Sequence, residues 1–429
     1  MTVLAVAWTH AGALALAAAD EAGLLPGGRR VLLAGADTPV PELRPGPSGS
    51  AGFAAIARRF DTVIDLVEEL APLHPAAWAP PQEELPLFER LLRRAWDLGG
   101  GPVRLVVESV SEGTGRTLAS IFHDAPITVC CPGLAAYGPT MHHLPDGAGS
   151  RIERMLHLDL VPGLPTLLHA EYGIPVGVVP PEAYRAVVQG VRDAAGGTQV
   201  VPEGAALVIG DRVDPDREVV RNVIAGGHTT VVYVAPPPAP PGKVQRLAEE
   251  ATRLGGRLVV AAAPAVPLLP ERPALVTGSA SPADLFVADR MYGLPVAAGD
   301  TGKVLGRLGG YESTERVPLT IADAALPALG PGGAQTAPRV DGPGELAPLL
   351  SAITYCMRMT LWSQLREPTR DYVKTTDPTL VDRYFDKERL QELALVDPPS
   401  HESATRSDES SRSNAPLTRR IKRKLVGGR

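Results

Sequence analysis

The sequence predicts an α/β protein made of two doubly wound halves that face a central cleft, with helices added at the end. Three observations predict it. Short apolar runs alternate with helix-period stretches from residue 3 to residue 131, a link at 194–202 carrying Gly-Gly and Pro interrupts them, and the alternation restarts at residue 205 and runs to residue 298. A chain of 429 residues also exceeds one ordinary core, since about 100 to 200 residues per domain is usual.

The first half opens with a buried strand at 3–7, a loop at Trp8, Thr9 and His10, and an Ala-rich helix to about Leu25. Strands follow at 30–36, 61–66, 103–110 and 127–131, with helices at 84–98 and 115–124 between them. Leu85, Leu87, Phe88, Leu91, Leu92 and Ala95 form one stripe on helix 84–98, the mark of a helix packed on a sheet. The second half reads as strand 205–209, helix 216–225, strand 229–233, helix 243–254, strands 257–262 and 274–277, helix 282–291 and strand 295–298. Two such halves are a two-Rossmann-like-domain architecture, with ligands expected just beyond the carboxyl ends of the strands. The exit of strand 229–233, however, is Val234, Ala235, Pro236, Pro237 and Pro238, which has no ionisable group and few N–H donors.

The expected domains are therefore 1–195, 203–330, a helical segment 345–397 that braces the first domain, and a polar, Ser-rich tail 398–429 expected to be disordered. Within 345–397 the apolar stretch 346–365 predicts a long helix, and 378–395 a shorter amphipathic one. Arg419, Arg420, Lys422, Arg423 and Lys424 end the tail, either as a solvated basic terminus or as a weak contact to an anionic membrane surface.

Hydrophobic content of 44% with 21% charged residues is that of a globular protein, and a net charge of -6 argues against nucleic acid as partner. Cys130, Cys131 and Cys356 show no ligand spacing, so neither disulfide framework nor structural zinc is expected. The start resembles a signal peptide but lacks a basic leading region, because the first Arg is Arg29. A cytoplasmic setting is the expectation, and no apolar run has membrane-spanning length.

The best anion site in the sequence is the strand exit Gly278, Ser279, Ala280, Ser281, where Ser281 is a natural N-cap and Pro282 fits the first helical position. Free N–H groups there suit a nucleotide phosphate; Gly210, closing the strand 205–209, joins the set. The alternative is an ordinary capped helix. Residues 299–303, Gly-Asp-Thr-Gly-Lys, imitate the end of a phosphate loop, but Ala297 and Val304 replace required residues. Glu108, Glu112 and His10 are the candidate general bases, against the alternative of a carboxylate that only caps a helix and a histidine that only packs. His142 and His143 are further imidazoles with no ligand spacing.

The segments GLAAYGPT at 133–140, HLDLVPGLPTLLHAEYGIP at 157–175 and MYGLPVA at 291–297 resemble those of actinobacterial members of the bacterial α-2,8-polysialyltransferase-like family, as does 311–327. The resemblance implies a GT-B glycosyltransferase that uses a CMP-activated, sialic-acid-like sugar without a metal or other cofactor, a glycan or metabolite acceptor, and an acceptor side that includes Gly133 and Tyr137. It also implies two departures. An acidic base precedes the Gly-Leu in that family, where this chain has Pro132; a Lys-Pro-His-Pro motif meets the phosphate, where this chain has Val234, Ala235, Pro236 and Pro237. An enzyme with relocated groups and an inactive binding or scaffold relative both follow. Oligomeric state is not encoded in any visible stripe.

Overall fold

The computed structural model describes residues 1–36, 46–197, 201–211, 216–236 and 241–396. The proline exit from residue 237 onward, residues 198–200 of the link, and the tail with its basic end lie outside the described residues.

The first lobe runs β1 (Thr2–Ala7), α1 (His10–Glu21), β2 (Arg29–Ala34), α2 (Phe53–Ala57), β3 (Thr62–Asp65) and α3 (Leu66–Glu69). It continues with α4 (Leu85–Ala95), β4 (Val103–Val107), α5 (Gly113–Ile121), β5 (Ile127–Cys131), α6 (Ala148–Arg151) and β6 (Ile152–His157). Helix α7 (Leu167–Tyr172), β7 (Val176–Val178) and α8 (Pro181–Ala194) complete it. All seven strands are parallel in the order β3-β2-β1-β4-β5-β6-β7. Strands β1 and β2 are apolar along their buried stretches because helices cover both faces of the sheet.

The second lobe repeats the order. Strand β8 (Ala206–Ile209) leads to α9 (Asp216–Ala225), β9 (Thr230–Val234), α10 (Pro241–Arg253) and β10 (Arg257–Val260). Then come β11 (Leu275–Gly278), α11 (Pro282–Tyr292), β12 (Val296–Ala298), α12 (Thr301–Leu305), α13 (Arg316–Ala325), β13 (Ala328–Leu329) and β14 (Gln335–Thr336). The sheet order is β10-β9-β8-β11-β12-β13-β14, parallel except for the antiparallel β14. The chain is thus an α/β protein of two Rossmann-like lobes, as the alternation predicts.

One apolar core joins the lobes: it holds Leu14, Leu134, Tyr137 and Val188 from the first, Leu269, Leu285 and Val317 from the second, and Leu346 from the helical segment that follows. Separate clusters fill the far side of each sheet. Polar ties cross beside the shared core. Arg185 donates to the Met291 carbonyl at 2.8 Å, and Arg192 pairs with Glu271.

Four helices end the described chain: α14 (Gly342–Met357), α15 (Arg366–Thr375), α16 (Pro378–Tyr384) and α17 (Lys387–Glu392). The turn after α14 reaches the first lobe, where Arg358 donates to the Met141 carbonyl at 2.6 Å and the Trp362 indole to Glu171 at 3.3 Å. The later helices turn back, with Arg389 donating to the Cys356 carbonyl and Arg383 reaching Asp323 on α13. The long helix expected over 346–365 stops at Met357, and the one expected over 378–395 is broken after Tyr384. The stripe on α4 is also narrower than its spacing suggests: Leu92 is buried, whereas Leu87 and Leu91 are exposed. No described helix is long and apolar enough to cross a membrane.

Candidate functional site

In each lobe the strand order reverses direction beside the first strand, so a crevice opens beyond β1 and β4 in one lobe and beyond β8 and β11 in the other. In the first lobe Glu108 leaves β4 and is only 4% exposed. Its Oε1 accepts from the backbone N–H of Trp8 at 2.8 Å and of Thr9 at 3.1 Å, and its Oε2 from the Thr9 hydroxyl at 2.8 Å. Thr9 in turn caps α1 by accepting from Gly12 N–H at 2.8 Å. A Cβ on Gly12 would overlap the Glu108 carboxylate, so glycine is the residue that lets the acid lie under the helix. Placed there, the charge meets the positive end of α1 and charge-assisted donors.

His10, the first residue of α1, sets its Nδ1 3.1 Å from the Ser50 hydroxyl. That hydroxyl donates to the Pro47 carbonyl at 2.6 Å, so it accepts from the ring, and the tautomer assigned by this network leaves Nε2 as the acceptor. Nε2 is buried without a partner among the described residues, and burial pushes the imidazole down to about 4. It is neutral at pH 7. Glu112 takes the N-cap position of α5 without capping it, and its Oε1 lies 4.0 Å from Nε2 of His142; both side chains are exposed, as is His143. The Trp8 ring roofs the start of α5, 3.1 Å from where a Cβ on Gly113 would sit.

In the second lobe Gly210 follows β8, and a Cβ there would lie 2.3 Å from the Tyr233 hydroxyl and fit only if that ring moved, so the position is shaped by packing. Beside it Asp216, the first residue of α9 and 1% exposed, accepts from Asp211 N–H through both oxygens at 2.9 and 3.1 Å and from the Tyr233 hydroxyl at 2.6 Å. The buried Lys243 ammonium lies 2.7 Å from the same carboxylate and donates to the Asp211 carbonyl. The start of α9 is therefore occupied by the chain's own anion. Sequence reasoning missed Asp216 and Lys243, because the four groups come from β9, α9, α10 and the β8 exit and no local spacing joins them.

The other helix at this crevice differs. Ser281 sits at the N-cap position of α11 and Pro282 at its first turn, but the Ser281 side chain makes no capping hydrogen bond, its backbone at φ -121° and ψ 60° departing from the extended capping geometry. Ser279 is 2% exposed and its hydroxyl has no partner among the described residues; the Thr277 and Thr301 hydroxyls share that condition. Gly278 is the last residue of β11, in register with Ile209 and Ala298, a sheet position and not the loop position expected. Asp300 caps the short α12 by accepting from Lys303 N–H at 3.2 Å, so the imitation phosphate loop closes on itself.

The lobes meet where the β5 exit reaches α11: a Cβ on Gly133 would lie 3.3 Å from that of Ala283. Tyr137 points into the shared core, 2% exposed, and its hydroxyl accepts from Val161 N–H at 3.1 Å; burial pushes its pKa up to about 12. Thus Gly133 is brought to α11, whereas among the described residues no hydrogen bond or ion pair joins Glu112 or His10 to Ser279 or Ser281. Among the described residues no group of three or more His, Cys, Asp or Glu is placed to hold a metal ion.

No protein-family model matches the chain, and no curated protein matches it in sequence. Among solved structures it is similar to Glycyrrhiza uralensis UGT73P12 complexed with glycyrrhetinic acid 3-O-monoglucuronide, at TM-score 0.44 and 10% identity over 92% of this chain and 96% of that one. It is also similar to the UDP-GlcNAc 2-epimerase of Neisseria meningitidis bound to UDP-GlcNAc, at TM-score 0.42 and 12% identity over 70% and 82%. A variant of the Thermobaculum terrenum O-GlcNAc transferase gives TM-score 0.35 and 12% identity over 91% and 68%. At this level of similarity no residue role carries over.

Proposed function

We propose that the chain is a glycosyltransferase of the two-lobed type, taking a CMP-linked, sialic-acid-like donor and a saccharide or metabolite acceptor. The donor phosphate rests on the first turn of α11 with Ser279 and Ser281, and His10 is the base toward which the acceptor hydroxyl is directed, reached only when the cover over Nε2 yields. One observation carries this reading: of the two helix starts at the second crevice, α9 is filled by Asp216 and neutralised by Lys243, whereas α11 has no side-chain cap and an unpartnered hydroxyl beside it.

In such a transfer the acceptor oxygen bonds to the anomeric carbon as the carbon–phosphate oxygen bond breaks, and CMP leaves with the electron pair. Helix N–H groups stabilise the charge that grows on the departing phosphate. An imidazole held near 4 is a weak base, so it takes the acceptor proton only after bond formation has made that proton acidic.

Thermal shift with CMP, UDP and ADP tests the reading, because a ligand at 100 times its Kd stabilises by about 2.7 kcal/mol. Stabilisation by CMP that falls in Ser279→Ala and Ser281→Ala supports it; no shift with any nucleotide rejects it. A second reading, a nucleotide-sugar-binding subunit without transfer, is favoured by Glu108, whose two oxygens already face three donors, and by Pro132 in place of an acid. Donor binding without turnover in both wild type and His10→Ala would select it.

A further inference from the structure

Beyond Ser279, on the opposite side of Gly299, a cavity of about 240 Å³ opens between α9, the β12–α12 turn and the returning C-terminal helices. A Cβ on Gly299 would press on the Ser279 hydroxyl on one side and on Val219 of α9 on the other, so one residue separates the cavity from the serine. Its polar wall is Glu218, Asn222, Asp300, Asp323, Arg339 and Arg383, over an apolar floor that includes Leu329.

The hydrogen-bonding capacity of that wall is only partly used. Asp323 is saturated: it takes Nε and Nη2 of Arg383 at 2.5 and 2.6 Å, the Tyr384 hydroxyl at 2.8 Å, and the Arg339 guanidinium at 3.3 Å. Burial alone would raise its pKa, but these partners hold the carboxyl below its usual range. Nη1 of Arg383 and both terminal nitrogens of Arg339 make no hydrogen bond among the described residues. Asn222 is 7% exposed, and its side-chain amide likewise has no hydrogen-bond partner there. Glu218, one turn before Asn222 on α9, and Asp300 pair among the described residues only with the Lys303 ammonium, at 4.0 and 3.9 Å, apart from the backbone cap that Asp300 makes.

A wall with spare N–H donors and spare carboxylate acceptors disfavours simple ions. An anion would face Glu218 and Asp300, and a cation would face two guanidinium groups. A neutral molecule rich in hydroxyls satisfies both, since each hydroxyl donates and accepts. We propose that this cavity binds a monosaccharide-sized polyol through Asn222, Arg339, Arg383, Glu218 and Asp300. The sugar is either the neutral sugar of a nucleotide-linked donor, a source that rests on the nucleotide binding proposed above and not on its acidic sugar, or a free saccharide, which rests on neither.

Saturation-transfer NMR and calorimetry on the full chain decide the matter, with three probes: neutral monosaccharides, CMP- and UDP-linked sugars, and the bare nucleotides. Sugar-proton contacts are expected for one of the first two probes, with binding weakened about tenfold in Asn222→Ala, as for loss of one buried hydrogen bond, and by a smaller factor, about threefold, in Glu218→Gln. Glu218 is half exposed, so its variant keeps the test meaningful if Asn222→Ala fails to fold. No sugar contact from any probe, or unchanged affinity in both variants, overturns the site. Nucleotide binding without sugar contact sinks this inference alone; sugar binding without nucleotide binding sinks the function proposed above and leaves a free-saccharide site.

Discussion

The two lobes share a strand order but fill their crevices differently. In the first, the acid at the start of α1 arrives from another strand: Glu108 follows β4 and reaches across to Trp8 and Thr9. In the second, the acid at the start of α9 belongs to that helix: Asp216 turns back to Asp211 and gains Lys243. Both first helices are thereby closed to an external anion. The fourth-strand helices then differ, because Trp8 roofs α5 while α11 keeps an uncapped start beside Ser279. The phosphate site proposed above therefore draws its support from the second lobe alone.

The largest expected effect falls on the second-lobe plug. Asp216→Ala strands the buried Lys243 ammonium and is expected to cost about 3–5 kcal/mol in urea unfolding, as for a broken buried ion pair. Asp216→Ala with Lys243→Met should recover much of it, and failure to recover would mean the pair is not a unit.

Acid stability probes the first lobe. The folded His10 pKa of about 4 lies below its ordinary value, so the unfolded chain binds more protons between about pH 6.5 and 4. The His10 contribution is present above that window and is lost as pH falls through it, by on the order of 3 kcal/mol at most. His10→Gln should flatten this part of the stability curve. If it does not, the imidazole titrates normally and Nε2 is open to water.

Gly12→Ala is expected to cost about 2–3 kcal/mol, because the new methyl displaces a buried carboxylate from its donors. In a Glu108→Ala background the same change should cost little. Additive losses in the double-mutant cycle would show that Gly12 and Glu108 do not meet. The smallest effect is at the lobe contact, where Gly133→Ala brings a methyl against Ala283 and should cost no more than about 1 kcal/mol. A much larger loss would mean a tighter closure there.

Local pattern made much of this legible. Helix 216–225 agrees in both bounds with α9, and strand 127–131 with β5, since each has a continuous period and clear punctuation. Strand β6 was illegible because Glu153 is exposed and Arg154 half-buried, which breaks the apolar run. β7 is three residues with both valines exposed, too short for an alternation to register. For Glu108 the capping alternative was visible in its place between strand end and helix start. The Asp211, Asp216, Tyr233 and Lys243 cluster was not, because partners 17 and 32 residues apart meet only through sheet order.

The common interior of the halves has a mechanical corollary. A protein that hinges needs a wet or polar seam to part along, and here the seam is Leu134, Leu285 and Val317. Swinging open would bare greasy surface to water, so guests should arrive by way of yielding loops at the rim, and the halves should melt together in a single transition when heated.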